Sequence, residues 1–195
     1  LNSDNLFEIE HSLERLFGAQ PWCLYTGKNL LSFADNHDVT RACSALRDKR
    51  KLSALYAILY SMPGIPCVYY GSEYGAEGEK GRGEDGDDAL RPCMDAVDRG
   101  KAPALTRLIG KLNQIRAGER ALAYGSYEKC VLSNKYMCFR REREGERIYC
   151  AVNISETPVA MHVENAGGTD FLTGERCALQ DFVLSPFSAK IIKKG

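Results

Sequence analysis

Asp35-Asn36-His37-Asp38-Val39-Thr40-Arg41 packs more chemistry into seven positions than any other stretch of the 195-residue chain. A carboxylate beside an imidazole can bind sugar hydroxyls, ligate a metal or steer a proton. The same residues also suit a capped loop, with Asn and Asp making turn hydrogen bonds. The chain has three histidines, none close to another in sequence, so spacing gives no metal site. Eight cysteines (Cys23, Cys43, Cys67, Cys93, Cys130, Cys138, Cys150 and Cys177) form no C-x-x-C pair. They sit mostly in apolar runs and read as reduced, structural thiols, which favours a cytoplasmic setting. The acidic run Glu77, Glu79, Glu84, Asp85, Asp87 and Asp88 lacks EF-hand spacing and reads as a solvated loop. No metal and no cofactor is expected. Arg41 suits either a cleft lining or a loop cap, and spacing does not choose between them. Tyr69, Tyr70 and Trp22 read as packing residues.

The elements that must position this cluster come in α/β order. Leu6, Ile9, Leu13, Leu16 and Phe17 recur at helical spacing and predict a helix over 4–18. Asn5 and Glu8 resemble a capping box at its start. Residues 29–34 predict a short strand that delivers the polar cluster at its end. Simple alternation would place Asp35 and His37 on one face and Asn36 and Asp38 on the other, while a turn at the strand end would bring His37 and Asp38 to one mouth. A second helix over 48–62 ends at Pro63-Gly64, and an apolar run over 65–70 follows. Helix, strand, helix, strand implies parallel strands buried on both sides. Residues 71–102 show no period, and a third helix is predicted over 103–117.

Beyond residue 125 the pattern changes. Short, often alternating runs near 127–132, 135–141, 147–153, 158–163, 169–172, 175–179, 181–184 and 187–192 are separated by turn signals. They predict an antiparallel β-sandwich. The boundary falls near Tyr124-Gly125, giving two domains, 1–124 and 125–195. Lys plus Arg and Asp plus Glu are equal at 26 each, so no general attraction to nucleic acid is expected. No apolar run approaches the roughly 20 residues of a membrane-spanning helix. Position 1 is Leu, so the chain reads as a cut piece of something longer.

Phe33-Ala34-Asp35-Asn36-His37-Asp38 resembles the seventh-strand motif of the α-amylase family of glycoside hydrolases. Gly64-Ile65-Pro66-Cys67-Val68-Tyr69-Tyr70-Gly71-Ser72-Glu73 looks like that family's eighth strand and its exit, in the right order and with one helix between. Gly75-Ala76-Glu77-Gly78 and Asp87-Asp88-Ala89-Leu90-Arg91-Pro92 look most like the neopullulanase and cyclomaltodextrinase branch. The resemblance implies the last segments of a (β/α)8 TIM barrel, incomplete here, followed by the C-terminal β domain. It maps the family's third, transition-state-stabilising carboxylate onto Asp38 and its sugar-binding histidine onto His37. Asn36 lies beside them as a further substrate-binding residue. Asp87 and Arg91, four apart, correspond to an Asp–Arg pair that contacts sugar behind the cleavage point; an ordinary ion pair on a solvated loop is the alternative.

The family cleaves α-glucosidic bonds with retention, using a carboxylate nucleophile after the fourth strand and a carboxylic acid after the fifth. Both would precede Leu1, so the chain alone is expected to be inactive. The expected partner is an α-glucan oligosaccharide or polysaccharide. Other readings are a fragment of an α-glucan transglycosylase or branching enzyme, or a non-catalytic sugar-binding or structural module. Two strands without the rest of a barrel would expose apolar surface, so the truncated barrel is expected to self-associate.

Overall fold

The computed structural model describes every residue except Glu84. Helix α1 (Leu6–Phe17) starts at Asn5, whose side chain accepts the Phe7 backbone N–H. Among the described residues Glu8 makes no return bond to Asn5, so the cap is single-sided and not a capping box. Strand β1 (Leu31–Phe33) pairs in parallel with β2 (Ile65–Cys67), in the register Leu31 opposite Ile65 and Phe33 opposite Cys67. Between them lie the short helix α2 (Ala42–Ala45), one turn of 3-10 helix and α3 (Leu52–Ser61). Gly64 makes the turn from α3 into β2 at φ +103°, and a Cβ there would lie 2.6 Å from the Leu30 carbonyl oxygen. Only glycine meets both conditions. After β2 the chain runs through three single-turn 3-10 helices to α4 (Pro103–Gly118), with Pro103 in the first turn, and then α5 (Arg120–Tyr124).

Eight strands follow: β3 (Ser126–Leu132), β4 (Tyr136–Arg143), β5 (Glu146–Asn153), β6 (Val159–Met161), β7 (Gly167–Asp170), β8 (Arg176–Ala178), β9 (Phe182–Leu184) and β10 (Ala189–Lys194). Six form one sheet in the order β3-β4-β5-β10-β7-β8, antiparallel throughout, and β6 pairs with β9 as a second, two-stranded sheet. Alternation sorts the large sheet's side chains onto two faces. Met137, Phe139, Ile148, Cys150 and Val152 join the core that includes α1, α3, α4 and α5. Cys138, Tyr149, Ala151 and Ile192 pack with Met161, Phe182 and Leu184 of the small sheet. The large sheet is therefore covered by helices on one side and by β6–β9 on the other.

Two arginines fix the end of α3, which in turn aims β2. Arg116 of α4 donates to the carbonyls of Tyr60 and Met62 at 2.8 and 2.9 Å and also to that of Gly64. Arg141 of β4 donates to Ser61 O at 2.7 Å and to Gly125 O and Ser126 O. Among the described residues both guanidiniums meet backbone carbonyls, those of the α3 end included, and pair with no carboxylate. Burial lowers both pKa values, to about 10 for Arg116 and about 9 for Arg141. One expectation fails on this side of the molecule: Trp22 is 71 % exposed. It sits in the loop between α1 and β1.

Candidate functional site at the ends of the parallel strands

β1 stops at Phe33, two residues short of the polar cluster, so strand alternation does not extend into it. Asp35 therefore does not share a face with His37. It turns inward and is buried, while His37 and Asp38 remain about half exposed. Asp35 accepts the Ala42 backbone N–H at 2.7 Å, at the start of α2, and the Ser72 hydroxyl at 2.8 Å, just past β2. One carboxylate thus joins the exits of both parallel strands.

Arg41 completes this joint and is fully buried. Its Nε lies 3.3 Å from Asp35 Oδ2. Nη1 donates to Leu90 O at 2.9 Å, and Nη2 donates to Tyr70 O and to Ser72 Oγ, the latter at 3.0 Å. The guanidinium also lies over the Tyr69 ring, 4.6 Å from its centroid. Arg41 is therefore neither a cleft lining nor a simple cap. It ties the cluster to the exit of β2 and to the 3-10 turn at Asp88–Leu90. Tyr56 of α3 packs beneath, and burial, with the Asp35 charge behind it, pushes its phenol well above the usual range.

The exposed half of the cluster is built on that anchor. Asn36 Oδ1 accepts the Asp38 N–H at 2.8 Å, so Asn36 shapes the turn that presents the next two side chains. His37 Nε2 lies 3.2 Å from Asp38 Oδ2, and the His37 ring stands 6.2 Å from that of Tyr69. Asn36, His37 and Asp38 thus arrive at one mouth.

The loop after β2 folds back over this mouth. Arg41 N donates to Gly78 O at 2.9 Å, Gly78 N to Ser44 Oγ at 2.9 Å and Lys80 N to Thr40 Oγ1 at 3.1 Å. A Cβ at Gly78 would lie 2.1 Å from Ala89 O, so glycine is required where the loop closes on itself. Arg91 Nη2 then reaches Asp87 Oδ2 at 3.3 Å and Asp38 Oδ1 at 3.4 Å, while its Nε faces His37 O at 3.3 Å. Asp87 and Arg91 do form an ion pair, and that pair also touches Asp38, over 50 residues away in sequence.

Lys80 stands at the same mouth. Its Nζ donates to Asp38 O at 2.7 Å and lies 3.5 Å from Asp87 Oδ1. No sequence pattern singles Lys80 out, because its neighbours come from two distant segments. Elsewhere in the acidic run, Glu77 pairs with Lys49 and Lys101, whose ammonium groups hold its carboxyl below the usual range. Glu84 lies outside the described residues. Among the described residues no three His, Cys, Asp or Glu side chains converge as metal ligands.

The segments that build this mouth lie within the stretch that comparison with known proteins matches. The α-amylase catalytic-domain family model matches residues 19–120. The cyclomaltodextrin glucanotransferase of Geobacillus stearothermophilus is 28 % identical over 156 residues, covering 80 % of this chain and 20 % of that protein. The Paenibacillus macerans protein of the same name is 30 % identical over 129 residues, covering 66 % of this chain and 17 % of its own length. The chain spans about a fifth of the length of such relatives. The α-amylase from Geobacillus thermoleovorans, solved with acarbose, superposes with a TM-score of 0.74 at 22 % identity, over 97 % of this chain and 42 % of that one. CldA, a cyclomaltodextrin glucanotransferase of three-domain layout, gives 0.67 at 26 % identity over 85 % and 36 %. The family-model match, which spans more than half of the chain, fixes the family, and these identities leave the branch within it open.

Proposed function

The chain belongs to the α-amylase family, and from that premise we propose that it is the C-terminal portion of an enzyme acting on α-glucosidic bonds of starch-like glucans. Residues 1–124 would supply the last two strand–helix segments of a (β/α)8 barrel, and residues 125–195 a C-terminal β-sandwich. The observation that carries this reading is the convergence of His37, Asp38, Asp87 and Arg91 at the C-terminal ends of two parallel strands, where barrel enzymes collect their chemistry.

Asp38 would act on the sugar at the cleavage point. As the glycosidic bond breaks, positive charge grows on the ring and the ring flattens. A fixed carboxylate that accepts hydrogen bonds from ring hydroxyls binds this state better than the ground state, and only that difference accelerates the step. His37 would donate to a neighbouring hydroxyl, its orientation kept by Asp38 and Tyr69. Asp87 and Arg91 would hold the next sugars of the chain. The nucleophile and the acid would come from earlier strands of the parent, so the chain alone would not turn over substrate. The apolar edges at Leu31, Phe33 and Ile65, 46–61 % exposed, would meet those strands in the parent and drive self-association without them.

Transfer, not hydrolysis, is the second reading, and the names of the glucanotransferase relatives favour it. The test is an assay of the full-length protein and of this chain on starch, pullulan and cyclodextrins. Asp38→Asn should cost the full-length enzyme on the order of 100-fold in kcat. New reducing ends would mark hydrolysis, and new linkages or rings without them would mark transfer. Turnover by this chain alone would overturn the assignment.

A further inference from the structure

We infer that Lys80 is a further substrate-contacting residue of this site, donating to hydroxyls of the bound α-glucan beside Asp87 and Arg91; this deepens the proposed function and rests on it. A sugar hydroxyl both donates and accepts, so a glucan site needs outward-facing donors as well as carboxylates. Acceptors are plentiful at this mouth, in Asp38 and Asp87. The donors already described are partly engaged. The three Arg91 contacts among the described residues run inward, from Nε to His37 O and from Nη2 to Asp38 and Asp87, which leaves Nη1 as its outward donor. The His37 Nε2 faces Asp38.

Lys80 adds a further donor to these. Its ammonium carries three N–H groups. Among the described residues it meets two acceptors, Asp38 O at 2.7 Å and Asp87 Oδ1 at 3.5 Å. The side chain is half exposed, and its backbone is pinned by the bond from Lys80 N to Thr40 Oγ1. Gly78, two residues before it, is fixed in turn by Arg41 and Ser44. The group is therefore held at its base, and its ammonium has one N–H beyond the two it directs at Asp38 O and Asp87. The position also makes Lys80 a link between the sugar at the cleavage point and the sugars behind it, because it contacts the backbone of Asp38 and the side chain of Asp87.

The test uses the full-length enzyme with maltooligosaccharides of increasing length. Lys80→Met is expected to raise KM about 10-fold for long substrates, the effect of one lost charge-assisted hydrogen bond, with kcat within twofold of the unmodified enzyme. The effect should fade for substrates too short to reach past Asp38, and Lys80→Arg should restore most of the affinity. A purely structural lysine would lower the melting temperature without this length dependence. Unchanged KM in Lys80→Met, with the unmodified enzyme active, refutes the Lys80 assignment and leaves the proposed function standing. No glucan turnover by the unmodified enzyme refutes both.

Discussion

Replacing Arg41 with Met tests whether the buried joint, and not the strands alone, holds the site together. The change removes the partner of Asp35 and the donors to Leu90 O, Tyr70 O and Ser72 Oγ in one step. Breaking a buried ion pair from one side costs about 3–5 kcal/mol, because a charge stays behind without compensation. Asp35 keeps its bonds from Ala42 N and Ser72 Oγ, which places the expected loss near the lower end, about 3 kcal/mol. For a chain of this size that corresponds to a melting-point drop of roughly 6–12 °C. Asp35→Asn combined with Arg41→Met should cost less than the sum of the single changes by at least about 1 kcal/mol, since the residues share one network. Urea unfolding followed by far-UV circular dichroism reads all three. Tryptophan fluorescence would report little, because the single Trp22 is already largely in water. A loss below about 1 kcal/mol in Arg41→Met, or additivity within about 0.5 kcal/mol in the cycle, would refute the reasoning.

Gly78→Ala should displace the loop over the mouth, since its Cβ has 2.1 Å to Ala89 O; the Arg91 and Lys80 resonances should move in NMR spectra while those of the β-sandwich stay put. Arg141→Leu leaves the carbonyls of Ser61, Gly125 and Ser126 without their donor and should cost about 2–4 kcal/mol in a urea melt. Burial raises the Glu10 carboxyl pKa, with Lys129 only partly opposing it. A raised folded-state pKa means that stability is full below the ordinary carboxylate range and is lost as pH rises through the folded value. Glu10→Gln should therefore be more stable than the unmodified chain at neutral pH, and the advantage should vanish below about pH 4. Sedimentation at micromolar concentration should show self-association of this chain, weakened by Leu31→Lys or Ile65→Lys; a strictly monomeric species would count against the exposed-edge argument.

Much of this architecture can be read from local pattern. The helix stripe over 103–117 becomes α4 at Pro103–Gly118, and the eight short runs after residue 125 match eight strands. Those features depend on residues a few positions apart. The short helices α2 and α5 escape, because four or five residues carry no period. The insertion of β10 between β5 and β7 escapes as well, since strand order is a matter of pairing between distant segments. The site divides in the same way. His37 and Asp38 are visible as neighbours, whereas the role of Arg41 depends on acceptors at residues 35, 70, 72 and 90. Trp22 misleads because burial is decided by what lies opposite, which a sequence does not show, and Asp35 departs from simple alternation because β1 ends at Phe33.

The docking of α1 has a consequence for how the chain is made. Leu6 N donates to Asn134 O at 2.9 Å, and Glu14 meets Lys129, 115 residues further on. The buried face of the first helix, Leu6, Leu13 and Phe17, rests on β3 and β4. On a ribosome adding about 5–20 residues per second, that face waits roughly 6–25 s for its partner to emerge. An early-made element thus depends on a late-made one. Nascent chains stalled before Ser126 should carry an undocked amphipathic helix, sensitive to protease and attractive to chaperones, which becomes protected once the β3–β4 hairpin has been synthesised.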